Sequence, residues 1–170
     1  VYLKELKNPE GRLEKIFDKR NIRVYIDYAH TPDALSKVLY SLRKITLGKL
    51  YLVFGCGGDR DKTKRPEMTN KALEHSDKVF ITNDNPRFED PKEIIDDMIR
   101  GLDKKKLNKI VLIRDRSKAI ESAIKKLETD DLLLIAGKGH ENYQLIRNRK
   151  YSFSDKKIAK NILRKIWHFG

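Results

Sequence analysis

The sequence has 170 residues, of which 39% are hydrophobic, and its 38 Lys and Arg against 25 Asp and Glu give a formal net charge of +13. This length suits one domain with its own core, and no apolar run approaches the roughly 20 residues of a transmembrane helix. There is no signal-peptide pattern, and the single cysteine, Cys56, excludes an intramolecular disulfide framework. We expect a cytoplasmic protein without a membrane partner, and the start at Val1 suggests a piece of a longer chain.

The excess of basic residues is compatible with nucleic-acid binding, because phosphates attract clustered Lys and Arg. The lysines are distributed along the whole chain, however, and the densest run is Lys104–Lys106. We expect a helix to end there, where cations favour the negative end of its dipole. The distribution favours a solvated surface with no nucleic-acid partner, and a basic binding module is kept as an alternative.

Apolar, β-branched runs alternate along the chain with segments of helical periodicity. The runs predict five strands, at residues 23–28, 49–54, 78–82, 109–113 and 132–136. Predicted helices follow these strands, with start signals near Pro32, Pro66, Asp90, Ala119 and Ser154. Two short strands around Asn148 precede the last helix. Strands that alternate with helices at this spacing indicate βαβ units, right-handed crossovers and one α/β domain with a mostly parallel sheet.

Polar, glycine-rich and charged segments follow four of the predicted strands. Their sequences are YAHTP, GCGGDRDK, NDNPR and GKGHE. Because ligands of parallel α/β sheets bind beyond the carboxyl ends of the strands, we expect these segments to meet at one rim. The glycines at 55–58 match neither G-x-G-x-x-G nor the P-loop, so the chain has no nucleotide-phosphate cradle of its own. Cys56 has no metal-ligand spacing around it, and we expect it to pack beside the turn.

Each segment alone has an ordinary structural explanation. A lone histidine such as His30 or His140 is more often structural than catalytic, and Asp84 could cap a turn. Together, however, YIDYAHTPDAL, FGCGGDRDKTKRPEM, TNDNPRFEDP and AGKGHENYQ occur in an order and spacing that resembles the C-terminal domain of the Mur ligases. The resemblance runs from about Pro9 to the last helix. Thr63 departs from the family pattern, because many members have Gly at this position. The position lies in a predicted loop, which should tolerate the change.

The resemblance implies a fold and a reaction. The fold is a Rossmann-like three-layer domain, for which we expect a mostly parallel six-stranded sheet, helices on both faces and a C-terminal β-hairpin as an antiparallel edge. Residues 1–170 would form the C-terminal domain of a three-domain ligase, without its UDP-sugar domain and its central P-loop ATPase domain. That ligase uses ATP and Mg²⁺ to convert the D-Glu carboxylate of UDP-N-acetylmuramoyl-L-alanyl-D-glutamate into an acyl phosphate, which an amino acid's amine then attacks.

In this scheme the domain brings the amino acid and closes over ATP, which excludes water from the acyl phosphate. No catalytic residue is assigned to it, and we expect a monomer that is inactive on its own. Arg12, Asp27 and His30 match positions that lie against ATP, although Glu10 interrupts the family's P-G-R-x-E segment. The residues that match the amino-acid site are Arg60, Asp84, Asn85, Pro86, Arg87, Gly137 and Glu141.

The D-N-P-R form of the third segment is associated with meso-2,6-diaminopimelate, whose far end carries a carboxylate and an ammonium where lysine has only the ammonium. Arg87 offers a planar fork to that carboxylate. Asp84 and Glu141 can accept from the ammonium, and Asn85 can serve either group. With lysine bound, Arg87 would lack a partner, at a cost of about 1.5–3 kcal/mol. A lysine-adding ligase and a folylpolyglutamate synthase-like domain remain alternatives.

Overall fold

The main sheet has six strands, and five of them are parallel. The structure is a computed structural model that describes residues 9–167. The strands are β1 (Glu14–Lys19), β2 (Ile22–Asp27), β3 (Leu50–Phe54), β4 (Lys78–Ile81), β5 (Ile110–Leu112) and β6 (Leu132–Ala136). Their order is β1-β2-β6-β3-β4-β5, with only β1 antiparallel to its neighbour. The predicted α/β class and mostly parallel sheet are confirmed, while the ends of the predicted 1–170 domain lie outside the described residues.

The antiparallel edge of this sheet is β1, for which the sequence analysis predicted no strand. Arg20 and Asn21 form a tight turn into β2, and both have positive φ, of 51° and 62°. Two consecutive residues of positive φ suit the right-handed twist of a hairpin, but the usual signal is a glycine, which is missing here. The predicted C-terminal hairpin is confirmed as β7 (Tyr143–Ile146) and β8 (Arg149–Ser152). It forms a separate two-stranded sheet, however, and is not the antiparallel edge of the main sheet that was predicted.

Within residues 9–167, six helices connect or flank the strands. They are α1 (Pro32–Ile45), α2 (Lys64–His75), α3 (Pro91–Ile99), α4 (Lys104–Leu107), α5 (Arg116–Ile124) and α6 (Asp155–Trp167). Thr31 and Asp90 cap α1 and α3 with their side chains, as the predicted start signals require. Lys104–Lys106 lie in the last turn of a helix, as predicted, but that helix is the short α4 and not the end of α3. Gly101 takes a φ of +76° soon after α3, and Asp103 then caps a new short helix that contains these lysines.

The core lies on both faces of the sheet. Strands β3 and β6 are buried at every position, as expected of central parallel strands. Leu52 and Leu134 pack with α1, α2 and α3 on one face, whereas Val53 and Leu133 pack with α5 and α6 on the other. Burying a side chain of this size contributes roughly 1.5–3 kcal/mol, so the two clusters fix the sheet between its helices. No helix within residues 9–167 is long and apolar enough to cross a membrane.

The carboxyl ends of β2, β3, β4 and β6 meet at one edge of the sheet, as the sequence analysis expected. The β7–β8 hairpin packs onto this edge through the loop that follows β4. The backbone N–H of Arg87 donates to the Leu145 carbonyl at 3.1 Å, and the Arg147 N–H donates to the Arg87 carbonyl at 2.7 Å. The hairpin therefore supports the loop after β4 from outside the rim.

Candidate functional site

A cavity of about 370 Å³ opens at this rim. Its walls come from the loops after β2, β3, β4 and β6, the four segments that the sequence analysis singled out. Six of the seven residues predicted for the amino-acid site line it: Arg60, Asp84, Asn85, Arg87, Gly137 and Glu141. The seventh, Pro86, does not line the cavity. The structure thus brings into one space side chains that are up to 81 positions apart, from Arg60 to Glu141.

Two glycines let the loops after β3 and β4 approach each other. The Gly58 N–H donates to the Asn85 carbonyl at 2.9 Å. A Cβ at Gly58 would lie 1.9 Å from the Pro86 carbonyl oxygen, and a Cβ at Gly55 would lie 2.2 Å from the Thr82 carbonyl oxygen. Both positions therefore require glycine for close backbone contact, and Pro86 shapes the cavity through its backbone. The Thr63 departure is harmless, since its φ of −65° suits any residue.

Arg87 is held in an unusual backbone conformation. Its φ of 52° lies in the left-handed region, which costs a non-glycine residue roughly 1–2 kcal/mol. Its Nη1 donates to the Gly58 carbonyl at 2.8 Å and to the Asn85 carbonyl at 3.4 Å. Arg60, by contrast, is exposed and makes a long contact of 3.5 Å to the Asp59 carbonyl. Within residues 9–167, neither guanidinium forms an ion pair with a carboxylate, so these two arginines of the cavity lining have only carbonyl partners.

The acidic side of the cavity is organised by Lys138, which the sequence analysis did not select as a site residue. Its side chain is completely buried. Nζ lies 3.1 Å from Asp84 Oδ1, 2.8 Å from Asn85 Oδ1 and 3.6 Å from Glu141 Oε2. A signal was available in the sequence: Lys138 stands between two glycines directly after a fully apolar strand, where a solvated lysine is unexpected.

Arg65 fixes the floor of the cavity from α2. It is 2% exposed and binds both oxygens of Glu89, at 2.9 and 2.8 Å, while Nη1 also donates to Asp97 at 2.9 Å. The hydrogen bonds from Arg65, with one from the Asp59 N–H, lower the pKa of Glu89 to about 2. This network connects the loop after β3 to the start of α3. It therefore fixes the position of the loop after β4, which carries Arg87.

Two of the three residues predicted to face ATP, Arg12 and His30, lie around Tyr28 at the edge of the cavity. The Arg12 guanidinium carbon lies 5.2 Å from the centre of the Tyr28 ring, and the His30 ring lies 4.6 Å from it. His140, which was not predicted to bind, lies 5.6 Å away on the same ring. His30 lines the cavity, whereas Arg12 does not. Arg12 reaches this position because Gly11 has a φ of +71° and contacts the His140 backbone closely.

Asp27 has a different environment from Arg12 and His30. It is buried, and its two carboxylate oxygens accept hydrogen bonds from the Leu13 and Ala29 N–H groups, each at 2.6 Å. Asp27 therefore connects the segment before β1 to the end of β2 and does not line the cavity. Its predicted contact with ATP stays a prediction.

Cys56 lines the cavity but is not poised to react. Burial, with the nearby charge of Asp84, raises the pKa of the thiol to about 12, so almost none of it is thiolate at neutral pH. Its Sγ packs 3.8 Å from the Met68 sulfur, as expected for a residue beside the turn. Within the described part of the chain, no group of three or more His, Cys, Asp or Glu side chains could hold a metal ion.

Comparison with known proteins identifies relatives of this arrangement. The family model described as Mur ligase, glutamate ligase domain, matches residues 11–139. The chain is 51% identical over 159 residues to the UDP-N-acetylmuramoyl-L-alanyl-D-glutamate--2,6-diaminopimelate ligase of Prochlorococcus marinus subsp. pastoris, an alignment that covers 90% of this chain and 31% of the relative. A solved structure of a ligase of the same name aligns with a TM-score of 0.87 and 41% identity, over 95% of this chain and 33% of that one.

A second solved structure shares the fold alone. It is the folylpolyglutamate synthase of Thermotoga maritima, which aligns with a TM-score of 0.56 and 24% identity over 76% of this chain and 28% of that one. This chain spans about a third of the length of the two diaminopimelate ligases that are compared above.

Proposed function

This chain belongs to the Mur ligase family, and we propose that it forms the C-terminal domain of the ligase that adds meso-2,6-diaminopimelate to UDP-N-acetylmuramoyl-L-alanyl-D-glutamate. In this proposal the cavity at the sheet rim binds the incoming amino acid. The UDP-sugar domain and the ATPase domain of the same polypeptide complete the enzyme. We also propose that the enzyme is a monomer. We place it in the cytoplasm, because ATP and the nucleotide-linked substrate are available there.

One observation carries the substrate proposal: two of the three arginines that line the cavity, Arg60 and Arg87, have no carboxylate partner among residues 9–167, while an acidic cluster faces the same space. Meso-diaminopimelate has two carboxylates, which suit Arg60 and Arg87. The cluster of Asp84, Glu141 and Lys138 carries a net charge of −1, which suits one ammonium group. The second amine would then remain available for the reaction. Lysine, with a single carboxylate, would leave one guanidinium without a partner, so the lysine-adding alternative is disfavoured.

The chain's contribution to the reaction is binding and orientation. ATP supplies the phosphoryl group that makes the D-Glu carboxylate reactive, and Mg²⁺ would be held mainly by the central domain. Arg12 and His30 fit a nucleotide best, because Arg12 is exposed and His30 faces the cavity. Asp27 fits less well, since both of its oxygens already accept from backbone N–H groups. Fixing the amino acid by both ends would hold its free amine in a reactive position, which lowers the entropic part of the barrier.

The test is Arg87→Ala in an active full-length ligase that carries this chain as its C-terminal domain. We expect kcat/KM for meso-diaminopimelate to fall about 10- to 100-fold, because a charge-assisted hydrogen bond is lost. Activity with lysine should not fall, because the variant no longer has the guanidinium that a bound lysine would leave without a partner. Steady-state assays with both amino acids measure this.

Arg87→Lys is the matched control, which keeps the charge and loses the planar fork, so it should lie between the wild type and Arg87→Ala. Unchanged use of diaminopimelate in Arg87→Ala would refute the assigned role. Comparable use of lysine and diaminopimelate by the wild type would refute the substrate.

A further inference from the structure

Lys138 has no access to solvent, and all three of its N–H groups have acceptors. Nζ donates to Asn85 Oδ1 at 2.8 Å and to the Tyr143 carbonyl at 3.0 Å, and it lies 3.1 Å from Asp84 Oδ1. A lysine ammonium has three donors and no acceptor, so these contacts use its whole capacity. The segment after β6, the loop after β4 and the start of β7 are therefore joined at one buried atom.

The contacts of Lys138 determine which way the Asn85 amide faces. Lys138 Nζ and the Leu145 N–H both approach one amide atom of Asn85, at 2.8 and 2.9 Å. Both are donors only, so that atom has to be the oxygen, and its two lone pairs are then occupied. Asn85 Nδ2 consequently points the other way, where it donates to Glu141 Oε2 at 3.2 Å. One N–H of the Asn85 amide remains for the cavity.

This geometry removes an ambiguity in the sequence analysis, which left Asn85 able to serve a carboxylate or an ammonium. With its oxygen occupied by Lys138 and Leu145, Asn85 can offer only a donor to a ligand. The donor side of the cavity is then Asn85 with Arg87, and the acceptor side is Asp84 with Glu141. Lys138 also supplies the positive charge between those two carboxylates, which would otherwise repel each other at the cavity wall.

The geometry points to Lys138 as a positioning residue for the amino acid: it holds Asn85 with its N–H toward the cavity and keeps Asp84 and Glu141 as an acceptor pair. Lys138 does not line the cavity, so it acts through these three side chains. The inference rests on the proposed function, because it concerns how meso-diaminopimelate is recognised at the same site.

A double-mutant cycle in the active full-length ligase tests this role. The variants are Lys138→Met, Asn85→Ala and both together, and kcat and KM are measured for meso-diaminopimelate and for ATP. We expect Lys138→Met to raise the KM for diaminopimelate about 10- to 100-fold and to leave the KM for ATP within about threefold. In the Asn85→Ala background, the same change should raise the KM by a clearly smaller factor, because the part of its effect that passes through Asn85 is already lost.

Lys156→Met is the matched control. Lys156 also contacts two carboxylates, Glu10 at 3.0 Å and Glu14 at 2.7 Å, but it lies outside the cavity lining. Its loss should leave the KM for diaminopimelate unchanged. If Lys138→Met does not fold, Lys138→Gln replaces it in the same cycle, because a glutamine can still donate to the Asn85 oxygen and should raise the KM by a smaller factor.

Equal effects of Lys138→Met in both backgrounds would overturn the inference, because Lys138 would then act independently of Asn85. A parallel rise in the KM for ATP would also overturn it, because it would indicate general damage to the domain. Failure of the underlying function looks different. A wild-type enzyme that does not use diaminopimelate would refute the proposed function before any variant is compared.

Discussion

Two pairs of arginines near the carboxyl end of the sheet differ in what their guanidinium groups contact. Arg65 and Arg116 are each 2% exposed, and each binds a carboxylate through two N–H groups. Arg60 and Arg87 line the cavity and contact only carbonyl oxygens among the described residues. The two buried arginines are thus neutralised by carboxylates, although Arg65 also lines the cavity floor, whereas the two more accessible ones are left for a ligand. Substitutions in the two pairs should therefore affect different properties.

The largest effect on stability is expected for Arg116→Met. Arg116 binds the fully buried Asp155 at 2.8 Å through both Nε and Nη2, and Nη2 also donates to the Ala136 carbonyl at 2.8 Å. The bond joins α5, α6 and the end of β6. Removing it leaves a buried carboxylate unpaired, so the free energy of unfolding should fall by about 3–5 kcal/mol. Urea unfolding followed by circular dichroism measures this.

Lys125→Met is the control for that measurement. Lys125 pairs with Glu121 on the surface of α5, where the two side chains are 60% and 45% exposed. A solvated pair of this kind contributes little, so the change should stay below about 0.5 kcal/mol. A loss from Arg116→Met that is no larger than the loss from Lys125→Met would show that the buried pair does not stabilise the fold.

The second-largest effect on stability is expected at Glu89, the partner of Arg65, and it depends on pH. The pKa of Glu89 is lowered from 4.5 to about 2, chiefly by its hydrogen bonds from Arg65. A group whose pKa is depressed by folding stabilises the protein above its unfolded pKa and loses that contribution as the pH falls through the folded pKa. The stabilisation should therefore be complete near neutral pH and should disappear between about pH 4.5 and about pH 2.

Glu89→Gln removes this titrating group. The shift corresponds to at most about 3 kcal/mol, so Glu89→Gln should be less stable than the wild type by up to that amount at pH 7. The difference between the two proteins should shrink as the pH is lowered toward 2. Guanidinium chloride or urea titrations at a series of pH values follow it. A difference that stays constant from pH 7 to pH 2.5 would contradict the ion-pair explanation.

The paired and unpaired arginines were not equally visible in the sequence. Arg60 and Arg87 stand in segments that follow strands, so their meeting at the rim could be predicted from the parallel sheet alone. Arg65 belongs to a basic run that reads as solvated surface, and its partner Asp97 is 32 positions away. Lys138 and Asn85 are 53 positions apart. Whether such a charge is buried depends on tertiary packing, which periodicity and propensity do not report.

The same limit explains why the edge strand was missed. The strands β3 and β6 are apolar at every position, so their existence and their place in the sheet centre could be predicted. Strand β1 contains only one buried side chain, Phe17, and has a register irregularity beside it. An exposed strand with a glycine-free turn has neither the alternation nor the turn residues on which a strand prediction depends.

The smallest effect on stability is expected for Arg60→Met. This variant separates the two pairs of arginines most clearly, because we expect it to weaken binding of the amino acid without destabilising the fold. Arg60 is exposed, and its contact of 3.5 Å with the Asp59 carbonyl is at the limit of a hydrogen bond, so the free energy of unfolding should change by less than about 0.5 kcal/mol. If the guanidinium serves a ligand carboxylate, the KM for the amino acid should still rise about tenfold in the full-length ligase. Arg149→Met, at an exposed position of the hairpin outside the cavity, should change neither quantity. A loss of stability at Arg60 similar to that at Arg116 would place Arg60 in the framework and would remove the distinction between the two pairs.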